Sequence, residues 1–232
     1  MKTLCCLLVA IAALVSAGNA AAAKPEPYVL GGLVLADLGG DGAQFGRDIA
    51  VVLDQLIGGN WASKKSMSTG ADVGLGLRLR GERPVGGAVE LRYVRRGANY
   101  EFTDGSYTYP DAKVKLKLDY VEVPLLMEFA PSTQSSVQAV FLLGPVFGIR
   151  ASSKEDTEVA GSSTSTDISD NVAGTHFSGL IGAGMRIRTT GQSAVLVQAR
   201  YLFGFTNLFD SQAGYDVKPQ DISILVGYSI GR

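Results

Sequence analysis

The chain has 232 residues, which is enough for one large or two small domains. Its 21 basic and 22 acidic residues give a net charge of −1, so it lacks the basic excess that is typical of nucleic-acid-binding proteins. The only cysteines are Cys5 and Cys6, which excludes a disulfide-stabilised scaffold for the rest of the chain.

The N-terminal segment has the composition of a secretory signal peptide. Lys2 precedes an apolar run that ends at Val15, and a stretch of small residues follows it. The run is too short to cross a bilayer as a helix. We therefore expect residues 1–23 to be a cleaved signal peptide and residues 24–232 to form the mature domain.

A helix is predicted in the first long loop, after a β-like segment at residues 28–37. Between residues 43 and 57, apolar residues recur at the three- and four-residue spacing of one helix face. Asp41 is placed to cap its N-terminus, and Gly58 is placed to end it. Three roles stay open for this 43–57 segment: packing against its own strands, closing the barrel mouth as a lid, or binding a partner.

Most of the remaining chain alternates between apolar and polar residues with a period of two, which is typical of β-strands. In residues 67–80, Val73 and Leu75 share one parity, whereas Asp72 and Arg78 share the other. The pattern predicts eight strands, at roughly residues 28–37, 67–80, 88–100, 114–129, 136–152, 174–189, 194–206 and 221–230.

The connections between these strands alternate between short and long. Short turns rich in glycine, proline and serine lie at 81–86, 130–135 and 190–193. The long links include the polar stretch 152–170, which we expect to be an unstructured loop. This alternation puts the short turns at one end, so the sequence predicts an all-β, eight-stranded antiparallel up-and-down β-barrel.

Two kinds of barrel fit eight such strands. A soluble, lipocalin-like barrel turns its apolar face inward, whereas a transmembrane barrel turns it outward to lipid. Here the apolar parity is broad, aromatic and nearly free of charge. The other parity is rich in glycine, arginine and carboxylates, which suit a narrow polar lumen. We therefore predict a transmembrane barrel and keep the soluble barrel as the alternative.

Residues 113–129, KVKLKLDYVEVPLLMEF, carry two apolar stripes that are out of phase. The even-numbered residues are apolar up to Tyr120, and the odd-numbered residues are apolar from Val121 onward. Residues 121–129 have about the length that a tilted membrane-crossing strand needs. We expect a β-bulge between Tyr120 and Val121 that keeps the apolar stripe facing outward. Such a bulge turns five charged residues inward: Lys115, Lys117, Asp119, Glu122 and Glu128.

A set of charged residues shares the predicted inner face of the barrel. An eight-stranded barrel has room only for side chains, and a buried charge without a partner is costly. We interpret the set as a charge network that fills the lumen, and an ion path is the alternative. Its members are Asp72, Arg78, Glu90, Arg92, Arg96, Glu122, Glu128, Arg150, Arg186, Arg188 and Arg200.

His176 is the single histidine, and Ser178 follows it on the same strand face. An imidazole can activate a neighbouring hydroxyl as a nucleophile, and outer-membrane lipid A deacylases use a His-x-Ser pair. Because this pair is predicted to face inward, we favour a hydrogen-bonded histidine near the extracellular rim. The sequence has no phosphate-binding loop, metal-ligand cluster or nucleic-acid module, so we expect no catalytic site, cofactor or metal.

Five segments resemble, in order, the strand motifs of a known family. They are GAVELRYVRRGANY, DYVEVPLLMEF, LLGPVFGI, VQARYLFGFTNL and ILVGYSI. They are similar to strands of small outer-membrane β-barrel proteins of the porin-like/PorT type, and the likeness covers about residues 67–230. The resemblance implies a barrel in the outer membrane of a Gram-negative bacterium, assembled by the barrel-assembly machinery and surrounded by lipid and lipopolysaccharide. It does not imply one activity.

The residues and the resemblance together favour a non-enzymatic outer-membrane barrel that acts through its extracellular loops or in envelope integrity. The sequence does not identify its surface partner. A narrow pore or small-solute transporter is the alternative. A lipid-modifying enzyme that uses His176 and Ser178 is the least favoured function.

We predict that the N-terminal segment is absent from the mature protein, because small residues that suit signal peptidase follow its apolar run. Sequencing the N-terminus of protein purified from membranes should give a start immediately after Ala20 or Ala23. A start at Met1 would contradict export by a cleaved signal.

Overall fold

The alternating residues form long strands in the computed structural model, which describes residues 24–80, 84–106, 108–131, 135–189, 193–209, 214 and 216–230. The elements in chain order are β1 (Lys24–Gly40), α1 (Gly42–Ile57), β2 (Trp61–Arg80), β3 (Val85–Asp104), β4 (Ala112–Phe129), β5 (Val137–Val159), β6 (Ser162–Asp167), a 3-10 turn (Ser169–Asn171), β7 (Thr175–Arg188), β8 (Ala194–Gly204) and β9 (Val217–Ser229). The expected signal peptide and the centres of the three short turns lie outside the described residues.

Eight of the strands close into a ring of antiparallel neighbours. The order around the ring is β4, β3, β2, β1, β9, β8, β7 and β5, and pairing between β4 and β5 closes it. The remaining strand, β6, is a hairpin partner of the outer end of β5. The predicted eight-stranded barrel is therefore confirmed. The stretch 152–170, predicted to be an unstructured loop, is instead mostly β5, β6 and the 3-10 turn.

Apolar side chains form a belt around the outside of the ring. Members with at least 45% exposure include Val29, Leu33, Val73, Leu75, Leu91, Leu143, Ile181, Ile224 and Val226. Aromatic rings border the belt at both edges. Phe147, Phe177 and Phe205 pack side by side at the extracellular edge. At the other edge, the ring centroids of Phe129 and Phe141 are 6.4 Å apart. An exposed apolar belt between aromatic girdles is typical of transmembrane barrels. No helix in the described ranges is long and apolar enough to span a membrane.

The predicted β-bulge between Tyr120 and Val121 is wrong. Strand β4 keeps its alternation across this point, because Tyr120 is fully buried inside the barrel and Val121 is 38% exposed outside it. The irregularity lies in β5, where Asp119 pairs with Ser152 but Tyr120 pairs with Arg150. The bulge prediction therefore placed three residues wrongly. Lys115, Lys117 and Asp119 lie on the outward parity, whereas Glu122 and Glu128 do face inward.

Beyond the membrane belt, the barrel reverses its polarity. On β4, Leu116, Leu118 and Tyr120 point into an apolar core, while lysines on the outward parity meet water. Since the outer half of the barrel is surrounded by water, burying apolar side chains inside it is favourable. The two stripes of residues 113–129 are therefore one strand that passes through two solvents.

Helix α1 packs against this extracellular core and confirms the predicted helix in the first long loop. Phe45 packs edge to face on Tyr100, with ring centroids 5.9 Å apart, and the Tyr100 hydroxyl donates a hydrogen bond to the Gly42 carbonyl at 2.9 Å. Gly46 permits this approach, because a Cβ there would lie 2.7 Å from the Tyr100 ring. Asp41 gives no side-chain cap, since its carboxylate accepts a hydrogen bond from the Asp216 backbone instead.

We predict that Leu75→Arg destabilises the barrel in lipid. Leu75 is 62% exposed on the outer face, so the variant puts a guanidinium against hydrocarbon. This should lower the free energy of unfolding by about 2–4 kcal/mol.

The measurement is urea unfolding of refolded protein in lipid vesicles. Ser66→Arg is the matched control, because Ser66 is exposed on the same strand but lies beyond the belt. If the two variants lost equal stability, Leu75 would not face lipid.

Candidate functional site

The candidate site is the charge network inside the membrane-spanning part of the barrel. Of the eleven residues predicted for it, nine are at most 7% exposed: Asp72, Arg78, Glu90, Arg92, Arg96, Glu122, Glu128, Arg186 and Arg200. Alternation along β2, β3, β4, β7 and β8 turns them all to the same side. We describe them as a lower tier near the periplasmic end, a middle tier and an upper tier.

The lower tier links four strands. The Arg78 Nε donates to Glu128 at 2.6 Å, and the Arg186 Nη2 lies 2.7 Å from both carboxylate oxygens of Glu26. Glu26 also lies 3.4 Å from Arg78, so it bridges the two guanidiniums. Each charge in this tier therefore has an opposite charge within contact distance.

The middle tier contains a carboxylate that is held from two sides. Arg200 binds Glu90 through two hydrogen bonds of 2.7 and 2.8 Å, and the Tyr28 hydroxyl donates to the same carboxylate at 2.5 Å. The Arg200 Nε also donates to Gln198 at 3.0 Å. Bidentate arginine–carboxylate pairs fix geometry as well as charge. A second pair in this tier joins Arg92 to Asp72.

The upper tier surrounds the single histidine. Glu122 accepts a 2.6 Å hydrogen bond from Arg96, and its Oε1 lies 3.0 Å from the His176 Nε2. The other imidazole nitrogen, Nδ1, lies 2.9 Å from the Ser178 hydroxyl. Asp221 lies 3.1 Å from the Arg96 Nη2. This tier lies directly beneath the apolar core, since the Tyr120 ring packs edge to face on His176 at 4.7 Å.

Two of the eleven predicted network residues lie elsewhere, which corrects the prediction for them. Arg150 adjoins the irregular part of β5, and its guanidinium donates to the backbone carbonyls of Ser169 and Val172. It therefore holds the 3-10 turn in place. Arg188 is the last residue of β7 and is exposed at the periplasmic end, where the lumen meets water.

Sequence reasoning missed four network members: Glu26, Tyr28, Gln198 and Asp221. Glu26 lies two residues before the predicted start of the first strand, and Asp221 is the first residue of the predicted last strand. Both lie on the inward parity of their strands. Extending the predicted first strand by two residues would have found Glu26, and the parity of the predicted last strand already included Asp221. Strand ends are the least reliable part of a pattern-based assignment.

The lumen tiers are nearly balanced in charge. Among the described buried residues of the three tiers, six carboxylates (Glu26, Asp72, Glu90, Glu122, Glu128 and Asp221) face five guanidiniums (Arg78, Arg92, Arg96, Arg186 and Arg200). Leucines and valines fill the space between them, including Leu126, Val140, Leu142, Leu196 and Leu225. The arrangement is therefore a filled lumen in which each arginine contacts a carboxylate.

Ser178, His176 and Glu122 line up in the order of a hydrolytic triad. A histidine between a hydroxyl and a carboxylate is the arrangement that activates a nucleophile. However, Ser178 is fully buried and His176 is 3% exposed beneath the apolar core, so the hydroxyl is not presented to a substrate. In the described part of the chain, no group of three potential ligands is placed to hold a metal ion.

A second polar cluster lies at the extracellular end, around Asp104. Its carboxylate accepts hydrogen bonds from the Ser106 hydroxyl at 2.6 and 2.7 Å and from the backbone N–H groups of Asn60, Ser106, Thr108 and Tyr109. The Ser106 hydroxyl, helped by these backbone donors and opposed by desolvation, holds the pKa of Asp104 well below its usual range. Asp104 thus ties the loop after β3 to the start of β2.

Comparisons with known proteins agree with this fold. Residues 50–210 match the model of the family described as "Outer membrane protein beta-barrel domain". No curated protein sequence matches the chain.

Among solved structures, the chain is similar to Ail, the attachment invasion locus protein of Yersinia pestis, solved in complex with the heparin analogue sucrose octasulfate. The two share 16% identity over 89% of this chain and 99% of that chain, with a TM-score of 0.41. Neisserial surface protein A shares 13% identity over 90% and 99% of the two chains, with a TM-score of 0.44. OprG from Pseudomonas aeruginosa shares 12% identity over 91% and 98%, with a TM-score of 0.42.

We predict that Glu122→Ala strongly destabilises the barrel. The change leaves the buried Arg96 guanidinium without its closest carboxylate, which should lower the free energy of unfolding by about 3–5 kcal/mol. The measurement is urea unfolding in lipid vesicles.

The control for this variant is Glu101→Ala. The Glu101 side chain is 49% exposed and lies 3.8 Å from Lys113, so its loss should cost only about 0–1 kcal/mol. Equal losses would mean that the upper tier does not stabilise the fold.

We predict that Asp104→Asn destabilises the protein at neutral pH but not in strong acid. The folded pKa of Asp104 lies below the unfolded value of about 3.9. Its charge therefore contributes stability above that value, and the contribution is lost as the pH falls through the folded pKa. Melting curves from pH 7 to pH 2 should show the variant's deficit shrinking with acid. A deficit that is independent of pH would contradict a role for the charge.

Proposed function

Because this chain belongs to the outer membrane protein beta-barrel domain family and resides in the bacterial outer membrane, we propose that it is a closed, non-enzymatic barrel. It acts through its extracellular half, as a surface module or in envelope integrity, rather than by passing solutes. In this proposal, residues 1–23 are a cleaved signal peptide, and residues 24–232 are the mature barrel. The porin-like/PorT subgroup stays a prediction.

The filled lumen is the observation that carries this proposal. An ion that entered from the periplasm would meet the lower, middle and upper tiers in turn. Each tier is cross-linked by contacts such as the 2.6 Å bonds from Arg78 to Glu128 and from Arg96 to Glu122. Freeing one partner would leave the other charge buried and unpaired, which is costly. The apolar core above the tiers, around Leu118 and Tyr120, adds a barrier without polar ligands for an ion.

The extracellular half is built as a folded module, which supports a role at the surface. Strand β5 continues to Val159 and pairs with β6, and α1 closes over the apolar core. Towards its C-terminal end, α1 exposes Val52, Leu56 and Ile57, which are 50%, 76% and 46% accessible. Exposed apolar groups on an ordered element are typical of interaction surfaces.

The two alternative functions need features that the described lumen residues do not provide. A pore or small-solute transporter needs a hydrated path. A lipid-modifying enzyme needs Ser178 open to the membrane or to the surface, and Ser178 is fully buried. We therefore rank both below the closed barrel.

We predict that the refolded protein gives no stable conductance steps in planar lipid bilayers. A variant in which Gly42–Ile57 is replaced by a short glycine-serine linker should also stay silent, because the tiers close the lumen without α1. The heat-modified gel shift of folded barrels confirms that both proteins are folded.

Reproducible steps in the native protein would contradict closure and favour the pore. Steps that appear only after removal of α1 would mean that the helix, and not the charge network, closes the lumen.

A further inference from the structure

The outer face of β3, β4 and β5 changes from apolar to charged at one level. Tyr93 is followed on the outward parity by Arg95, and Val121 is preceded by Asp119. On β5, Ile149 is 64% exposed, and the next charged residue on the outward face is Lys154, since the Arg150 guanidinium binds the 3-10 turn. This level is the extracellular edge of the lipid belt, where the headgroups of the outer leaflet lie.

The first row above the edge holds a fixed guanidinium. Arg95 binds Asp119 through hydrogen bonds of 2.8 and 3.2 Å and reaches the Tyr93 hydroxyl at 3.4 Å. Its side chain is nevertheless 52% exposed, so one side of the guanidinium faces outward. Hydrogen bonds at the other side hold it in position for an external anion.

The next row brings two like charges together. Lys117 on β4 is directly opposite Lys154 on β5. Like charges at directly opposite positions repel each other and destabilise a sheet. The other neighbour of Lys117 is Gly97, which offers no side chain as a partner. The Lys117 ammonium instead forms an ion pair with the Asp156 carboxylate in the row above, at a distance of 2.5 Å.

The positive excess is confined to the two rows next to the lipid. There, three cations, Arg95, Lys117 and Lys154, accompany two carboxylates, Asp119 and the Asp167 that is opposite Lys154 on β6, so these rows carry +1. Higher on the same face, Lys115 pairs with Asp156, and Lys113 stands between Glu101 and Glu158. Those upper rows hold two cations and three carboxylates, so they sum to −1.

We propose that Arg95, Lys117 and Lys154 form a binding site for the phosphate of an anionic membrane lipid in the outer leaflet. The phosphate bridges the two opposed ammonium groups and accepts from the exposed side of the Arg95 guanidinium. Placing a doubly negative group there relieves the repulsion between Lys117 and Lys154. The site does not depend on whether the lumen conducts.

The surface below the cations favours a lipid over a soluble anion. Leu91, Tyr93, Val121 and Ile149 are between 37% and 64% exposed and continue the face downward from Arg95 and Lys154. When the phosphate of a lipid is bound above these four side chains, which form an apolar wall, the acyl chains of the lipid lie along that wall. A free phosphate uses only the cations, whereas a phosphorylated lipid uses the cations and the wall together.

The test is native mass spectrometry, with melting curves, of the mature protein in an uncharged detergent. The probes are diphosphorylated lipid A, the same lipid after enzymatic removal of its phosphates, and inorganic phosphate. Diphosphorylated lipid A should bind and raise the melting temperature, and salt should weaken it. The dephosphorylated lipid and inorganic phosphate should each bind far more weakly.

The decisive variant is the double change Lys117→Gln and Lys154→Gln, which should weaken lipid A binding about 30-fold, since each cation near a membrane surface favours anionic lipid. The matched control, Lys113→Gln, lies on the same face of β4 and should bind like the native protein.

A gel shift on heating shows that each variant is folded. Equal affinity in the double variant and the control would overturn the site. An equal effect of inorganic phosphate would overturn the assignment to a lipid.

Discussion

The width of an eight-stranded barrel is the constraint on which the rest of this structure depends. Such a ring leaves an interior just wide enough for side chains, and the alternation of a strand turns every second residue into it. The outer positions are occupied by lipid-facing residues, so the inner positions of the membrane segment take the polar residues. Those charges have little water to solvate them, and each arginine therefore contacts a carboxylate, as Arg200 contacts Glu90 and Arg78 contacts Glu128.

The same ring continues beyond the membrane with its polarity reversed. The outer half of the barrel is surrounded by water, so its stable arrangement is that of a soluble barrel with an apolar core. Strand β4 contains both arrangements: Glu122 faces inward in the membrane part and Leu118 faces inward above it, on one unbroken parity. Helix α1 caps the apolar core, and the cations at the boundary lie where lipid headgroups meet the protein. One change of solvent along the barrel, from lipid to water, therefore accounts for the closed lumen, the helix that caps the core and the proposed lipid site.

Patterns with a clear period were enough to predict the eight strands of the ring and α1. The alternation in residues 67–80 is strict, and the helical spacing from Phe45 to Ile57 cannot be produced by a strand. The bulge prediction failed because it kept the apolar stripe facing outward above the membrane as well, where the surrounding water favours apolar side chains inside the barrel. The change of solvent explains the reversed stripe without any bulge. The charge network was predicted from inward parity alone. Parity does not show that β5 is irregular beside Arg150, because that irregularity depends on pairing with β4. Glu26 was missed because the predicted first strand began two residues too late, at Tyr28.

The central claim is that β4 crosses from lipid to water without changing face. Because Cys5 and Cys6 belong to the expected signal peptide, the mature chain accepts single cysteines for spin labelling at successive positions from 115 to 123. Collision with a water-soluble nickel chelate and with oxygen, which partitions into lipid, reports the solvent at each label. The account predicts that the odd-numbered positions are accessible throughout, to the chelate up to 119 and to oxygen from 121, and that the even-numbered positions are shielded from both. Accessible labels at 116 and 118, with shielded labels at 115 and 117, would contradict it.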